Sequence, residues 1–420
     1  MTIFKHIPSP LLAGLLLLVY GLNIPVVSLY APLVLTLFLL LACAFKTEYQ
    51  KGFSDRLALL LLFAVSYYAF STIHGITTLR EALFNTLAIT GAYALGYGAG
   101  PGSEEEVRRT LPAALLLMVL GFACFSFLSV YAFLQSSGLL EIAARNAPSF
   151  WDGAEINAPG YGANASLGMC LLPVIFLARG EGCRGICYWP VAAVVWIMFA
   201  AGVFINAALQ NRTPFLATAA SFFLCAALYW YRHRSEPSRV CKKLALPIIL
   251  AALLACWLAV SIDAEQFSLL SRFSEQRLES PRFEAWKKLL GALYQNLLGG
   301  RTVRIGLAYV HNLWLDVFWD AGVVPFIFLA AFHLKHLSCF RAIVKSRLPQ
   351  LAVLMIVAVA TSFVMNFMQD PTLSASIPYF SCSCFFLGLV LRVSEVAGST
   401  LPVEPELRGS GDSKRAGELA

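Results

Sequence analysis

The sequence predicts an all-α, polytopic membrane protein of about twelve transmembrane helices, each near the ~20 residues needed to cross a bilayer. Three observations predict it. Of 420 residues 59% are hydrophobic and only 13% charged, with a mean hydropathy of +0.71, too apolar for an ordinary soluble domain. Apolar runs of spanning length recur from end to end, separated by short polar breaks, and leave no room for a separate soluble catalytic domain. Basic residues gather in alternate breaks, as the positive-inside rule requires.

The first run, Leu11 to Leu22, follows only Lys5 and lacks a small-residue cleavage site, so a retained helix over 9–24 is expected rather than a removed signal peptide. Lys46, Lys51 and Arg56 separate spans 26–45 and 56–74, and Arg108 and Arg109 separate spans 81–100 and 110–135. Arg179 and Arg184 lie between 164–179 and 188–209, and the basic stretch 232–243 lies between 213–231 and 244–262. The stretch 335–347 divides 313–333 from 350–369, and Arg392 closes the last span, 376–394. With both termini cytoplasmic, these segments and the tail hold about two thirds of the 31 Lys and Arg residues. Residues 1–394 then form one transmembrane domain, and 395–420, rich in Gly, Ser, Pro and charge, a disordered cytoplasmic tail. The expected non-cytoplasmic loops carry no cysteine, as an oxidising compartment favours for unpaired thiols. Cys183-x-x-x-Cys187 has no nearby His partners and reads as plain loop cysteines, so no metal site is expected.

Two outer loops are long, 136–163 and 263–312. The second concentrates Arg272, Arg277, Arg282, Lys287, Lys288, Arg301 and Arg304 on the side where basic residues are disfavoured. A solvated mixed-charge loop, balanced by Asp263, Glu265, Glu275, Glu279 and Glu284, is one account. A site for an anion such as a diphosphate-bearing lipid is the other. After Ser280 and Pro281, apolar residues at Phe283, Trp286, Leu290, Leu293, Tyr294 and Leu297 predict an amphipathic helix lying in the interface or against the bundle. Arg282 falls in its first turn, where free backbone N–H groups favour an anion.

Arg212, in Asn211-Arg212-Thr213-Pro214, has almost no loop to escape into, so it either snorkels to the interface or has a partner or function. His311 and Asn312 stand at the mouth of the tenth span, and a histidine there can accept a proton near neutral pH or be structural. Asp316 and Asp320 follow one turn apart on one face, to bind an acceptor or to hydrogen-bond inside the bundle. Asp370-Pro371 follows the eleventh span. In this threading Arg212, Arg282, His311 and Asp370, from four parts of the chain, share the non-cytoplasmic side.

Over approximately residues 200–370 the chain resembles the O-antigen ligase and O-antigen polymerase superfamily. The resemblance rests on His311-Asn312 followed nine residues later by Gly322, with Pro325 where a second glycine is usual. It rests also on Asn211-Arg212-Thr213, on Arg282 and Trp286 in a long outer loop, and on Gly299-Gly300. It implies a GT-C-like enzyme of the bacterial inner membrane with a periplasmic active site. Glycan would move from an undecaprenyl-diphosphate carrier to a sugar of the lipid A core, without metal, nucleotide or other cofactor and without a nucleic-acid partner. Carried over, His311 is the general base, Arg212 and Arg282 bind the diphosphate, and Asp370 orients His311 or the acceptor. Asn312, Arg272, Arg301 and Arg304 are supporting candidates. A polymerase, a protein O-oligosaccharyltransferase and, from another class, a lipid-linked sugar transporter or flippase remain alternatives.

Overall fold

The computed structural model describes residues 9–25, 51–137, 146–179, 188–235, 281–370 and 372–399, with 238, 243 and 245. The expected span 26–45, all of 244–262 but residue 245, Arg272 and the tail from 400 onward lie outside the described residues. In chain order the helices are α1 (Ser9–Gly21), α2 (Lys51–Ile73), α3 (Leu79–Ala99), α4 (Glu104–Ser137), α5 (Ala158–Met169), α6 (Leu172–Leu177), α7 (Tyr188–Ala208) and α8 (Thr213–Arg232). They continue with α9 (Pro281–Gly291), α10 (Leu313–Ala321), α11 (Val323–Lys345), α12 (Gln350–Phe367), α13 (Thr372–Ala375) and α14 (Ile377–Ser399). Eight helices among the described residues are long and apolar enough to cross a membrane, taking α5 and α6 together. The chain is therefore a membrane-embedded helical protein.

Local chemistry sets several of the helix starts. Thr78 and Glu81 form a reciprocal capping box at α3, and Asn157 accepts the Gly160 N–H at 3.0 Å to open α5. Helices α12 and α14 are buried on most of their surface and form the centre of the bundle. Against them pack α3, α8 and α11, with α1 on α4 and α2 on α11. In lipid, helix association relies on close backbone approach rather than on the hydrophobic effect. The α3/α14 crossing uses it: a Cβ on Gly96 would strike the Phe385 carbonyl, and one on Gly388 the Tyr93 carbonyl. Buried polar contacts tie the centre together. Asn366 Nδ2 donates to Ser166 Oγ at 2.7 Å and to Tyr379 Oη at 3.0 Å, joining α12, α5 and α14.

At one end of the bundle, a cationic side chain holds a helix C-terminus, where carbonyls lack intrahelical partners. Arg232 donates to the Ser346 and Leu348 carbonyls at the end of α11, at 2.8 and 2.9 Å, while Arg56 reaches the mid-helix Lys335 carbonyl at 3.1 Å and so ties α2 to α11. The opposite end gathers the start of α8, the end of α12 and the segment 281–312.

Four expectations are corrected. The expected span 313–333 is two helices: Gly322, at φ 87° and ψ −166°, ends α10 and starts α11, so the spanning helix is Val323–Lys345 and the basic stretch 335–347 is mostly helical. That backbone region is accessible essentially to glycine alone. The expected span 164–179 begins earlier, at Ala158, and breaks at Cys170–Leu171 ahead of Pro173. The loop between α4 and α5 contains a short antiparallel pair, Asn146–Pro148 with Glu155–Asn157, a small departure from an all-α chain. Lastly, α14 runs on to Ser399, so the first residues of the expected disordered tail 395–420 are helical. Helix α9 turns Ala285 and Leu289 toward the protein and its apolar stripe outward, one of the two placements expected for it. Phe283, Leu290, Leu293 and Tyr294 are exposed, and Trp286 alone of that stripe turns partly inward.

Candidate functional site at one end of the bundle

Helix α9 is the bracket of the site. Its first turn carries Arg282, whose Nη1 donates to the Gln369 carbonyl at 2.7 Å, while Nη2 lies 3.9 Å from Asp370 Oδ1. The second distance is an ion pair, not a hydrogen bond. One turn further on, Trp286 Nε1 donates to the Val310 carbonyl at 2.7 Å, and Val310 precedes His311. Spacing of four residues puts Arg282 and Trp286 on one face of α9. The same helix therefore holds the end of α12 at one point and the histidine segment at another.

The start of α8 joins through Gln369. Thr213 Oγ1 donates to Gln369 Oε1 at 2.9 Å, and the preceding Arg212 is half-buried at the N-cap position. Asn211 steadies the turn, donating to the Ala158 carbonyl at 3.1 Å and accepting from the Thr213 N–H at 3.3 Å. Asp370 is anchored from below, its N–H donating to the Asn366 carbonyl at 2.8 Å. Asn366 is the residue of the buried α12/α5/α14 network, so the carboxylate is built on the rigid centre of the bundle.

His311 is half-buried, with φ 60°. Its ring lies edge-on to Tyr309, centroids 6.3 Å apart. Asn312 caps α10, its side chain accepting from the Leu315 N–H at 3.2 Å. Asp316, one turn into α10, accepts from the Val310 N–H at 2.7 Å and the Asn312 N–H at 3.1 Å. At nine residues α10 is too short to cross a bilayer. Burial pushes the Asp316 carboxyl up to about 7, the two N–H bonds pulling the other way, with Asp320 raising and Arg301 lowering it.

The C-terminal carbonyls of α10 are satisfied by the loop before it. Asn296 Nδ2 donates to the Phe318 and Trp319 carbonyls at 2.7 and 3.0 Å, and the Gly300 and Arg301 N–H groups donate to Asp320 and Trp319 at 2.9 and 3.0 Å. Gly299, at φ 80°, leaves room for this approach, since a Cβ there would lie 2.6 Å from the Ala321 backbone. Arg301 is committed to the same junction, pairing with Asp320 at 2.8 Å and covering the Trp319 ring at 4.8 Å. Tyr67 of α2 donates to Asp320 at 3.0 Å. Burial raises Asp320 above the ordinary carboxyl value, outweighing the contacts with Arg301 and Tyr67. Arg304 is exposed on the same segment.

Two guanidinium groups, a carboxylate and an imidazole thus belong to segments that α9 and Gln369 tie together at one end of the bundle. The guanidinium groups suit an anion, and a neutral imidazole suits proton transfer. Among the described residues no group of three or more His, Cys, Asp or Glu forms a metal centre. Sequence reasoning passed over Asn296 and Tyr67, whose only signal was a polar group inside an apolar run, and left Asp316 and Asp320 undecided. No family model matches the chain, and no curated protein matches it.

Proposed function

We propose that the protein is a glycan ligase of the inner membrane, with its site on the periplasmic face, which moves a glycan from an undecaprenyl-diphosphate carrier onto a sugar hydroxyl of the lipid A core. The observation that carries this reading is the bridge made by α9: Arg282 bound to Gln369 beside Asp370, and Trp286 bound to Val310 beside His311. A base for the acceptor hydroxyl and a cation for the departing diphosphate are thereby attached to one rigid element. Arg212 adds a second cation through the Thr213–Gln369 link.

In this mechanism neutral His311 takes the proton of the acceptor hydroxyl as its oxygen attacks the anomeric carbon, and the carbon–oxygen bond to the diphosphate breaks. Arg212 and Arg282 neutralise the charge gathering on the leaving group, so no acid is needed there. The 3.9 Å contact supports a role for Asp370 in aiming Arg282. Lipopolysaccharide gels of cells in which the protein is inactivated test the assignment. Loss of every glycan-capped band is expected. A single capped repeat would instead indicate a polymerase, and an unchanged ladder would overturn both.

A further inference from the structure

His311 is held in an unfavourable conformation, and the side chain of Asp316 brackets it. Its φ of 60° lies in the left-handed region, which costs a non-glycine residue free energy and persists only where neighbouring contacts dictate it. Two such contacts come from Asp316. Its Oδ1 accepts from the N–H of Val310, immediately before the histidine, at 2.7 Å, and its Oδ2 from the N–H of Asn312, immediately after it, at 3.1 Å. The Asp316 N–H donates back to the Asn312 carbonyl at 2.7 Å. The carboxylate is 4% exposed, a costly place for a charge unless its bonds are required.

We infer that Asp316 is the positioning residue of His311, its two oxygens gathering the N–H groups on either side of the histidine and fixing the turn that sets the direction of the imidazole. The inference rests on the proposed role of His311 as base. A carboxylate is suited to the task because it offers two acceptor oxygens and no donor. An asparagine offers one oxygen and would set an N–H₂ against one of the two backbone N–H groups. Helix α10 contributes rigidity, with Asn312 as its cap and Asn296, Gly300 and Arg301 closing its far end.

The test is a double-mutant cycle with a spectroscopic arm, on the full-length protein in detergent or proteoliposomes. Asp316→Asn is expected to lower kcat by about tenfold to a hundredfold, the scale of a misplaced catalytic group, with KM little changed. In a His311→Ala background the same change is expected to cost nothing further. Equal losses in both backgrounds, or full activity of Asp316→Asn, would overturn the inference while leaving the ligase reading standing. If His311→Ala keeps wild-type transfer, the role of His311 falls instead. The second arm needs no turnover: among the six histidines, carbon-13 labelled, the His311 signal is assigned by its absence in His311→Ala. Asp316→Asn should move or split that signal and leave the other five in place, and an unmoved signal contradicts the claim. A variant that fails to fold leaves the wild-type protein to decide, through slow hydrogen exchange at the Val310 and Asn312 amides. Fast exchange there would refute the bracket.

Discussion

Arg282 and His311 carry the predictions that belong to single residues. A positioned base contributes roughly 10²–10⁴ in rate, and removing one partner of a largely desolvated charge pair costs about 2–5 kcal/mol. His311→Ala and Arg282→Ala are therefore each expected to abolish most transfer while membrane insertion and expression persist. Wild-type transfer by a well-expressed variant would remove that residue from the mechanism. Asp316 predicts a pH dependence of stability. Burial holds its carboxyl at about 7 when folded, above the ordinary aspartate value of 3.8, so between those limits the folded state binds more protons than the unfolded one. Stability contributed by the group then falls as pH rises through that window. Relative to Asp316→Asn, the wild-type melting temperature is expected to decline between about pH 4 and 7, and parallel curves would contradict it. Arg212, His311 and Asp370 were legible in the sequence because a polar group beside an apolar span is conspicuous, and Arg282 because it falls in the first turn of an amphipathic helix in a basic loop. The work of Asp316 was not, since the same spacing from Asn312 suits an acceptor site as well as a bracket, and only the paths of the two N–H groups separate them.

At the scale of elements, the break between α10 and α11 was hidden because apolar residues continue through it. Gly322 and Pro325 stand at the junction, but such residues also occur within unbroken membrane helices. What decides is the closure of the preceding loop onto the junction, where the Val323 N–H donates to the Leu297 carbonyl at 2.9 Å. A Cβ on Gly322 would strike that carbonyl and lie 2.7 Å from the Leu298 carbonyl carbon. Gly322→Ala is thus expected to destabilise by about 1–3 kcal/mol from backbone strain, with steric cost in addition. A thermal unfolding midpoint equal to wild type would contradict it. The link between α8 and α12 is weaker. Thr213→Val removes one hydrogen bond to Gln369, expected to cost about 1 kcal/mol and to lower transfer less than Arg282→Ala.

Across the whole molecule, spans were the most legible feature, because bilayer thickness imposes a length that composition reveals. Ten of the expected spans overlap described helices, of which eight are long and apolar enough to cross a membrane; α1 and α3 are not among the eight, and two spans are broken, at Gly322 and at Cys170–Leu171. Which groups the segments at this end of the bundle bring together was not legible, because Trp286–Val310, Arg282–Gln369 and Thr213–Gln369 are contacts between distant parts of the chain. The two ends of the bundle differ in a way that can be checked. Lys288, on α9, and Arg347, beyond α11, are both exposed. A cysteine at 288 is expected to react with a membrane-impermeant maleimide added outside the inner membrane, and one at 347 only after permeabilisation; the reverse pattern would invert the proposed orientation. The most direct test of the central proposal is reconstitution of purified protein with lipid-linked glycan and lipid A core, followed by mass analysis of the product. Wild type is predicted to yield glycan-extended lipid A core and His311→Ala and Arg282→Ala only traces of it, whereas a wild type that forms no such bond, or variants that form it equally well, would contradict the account.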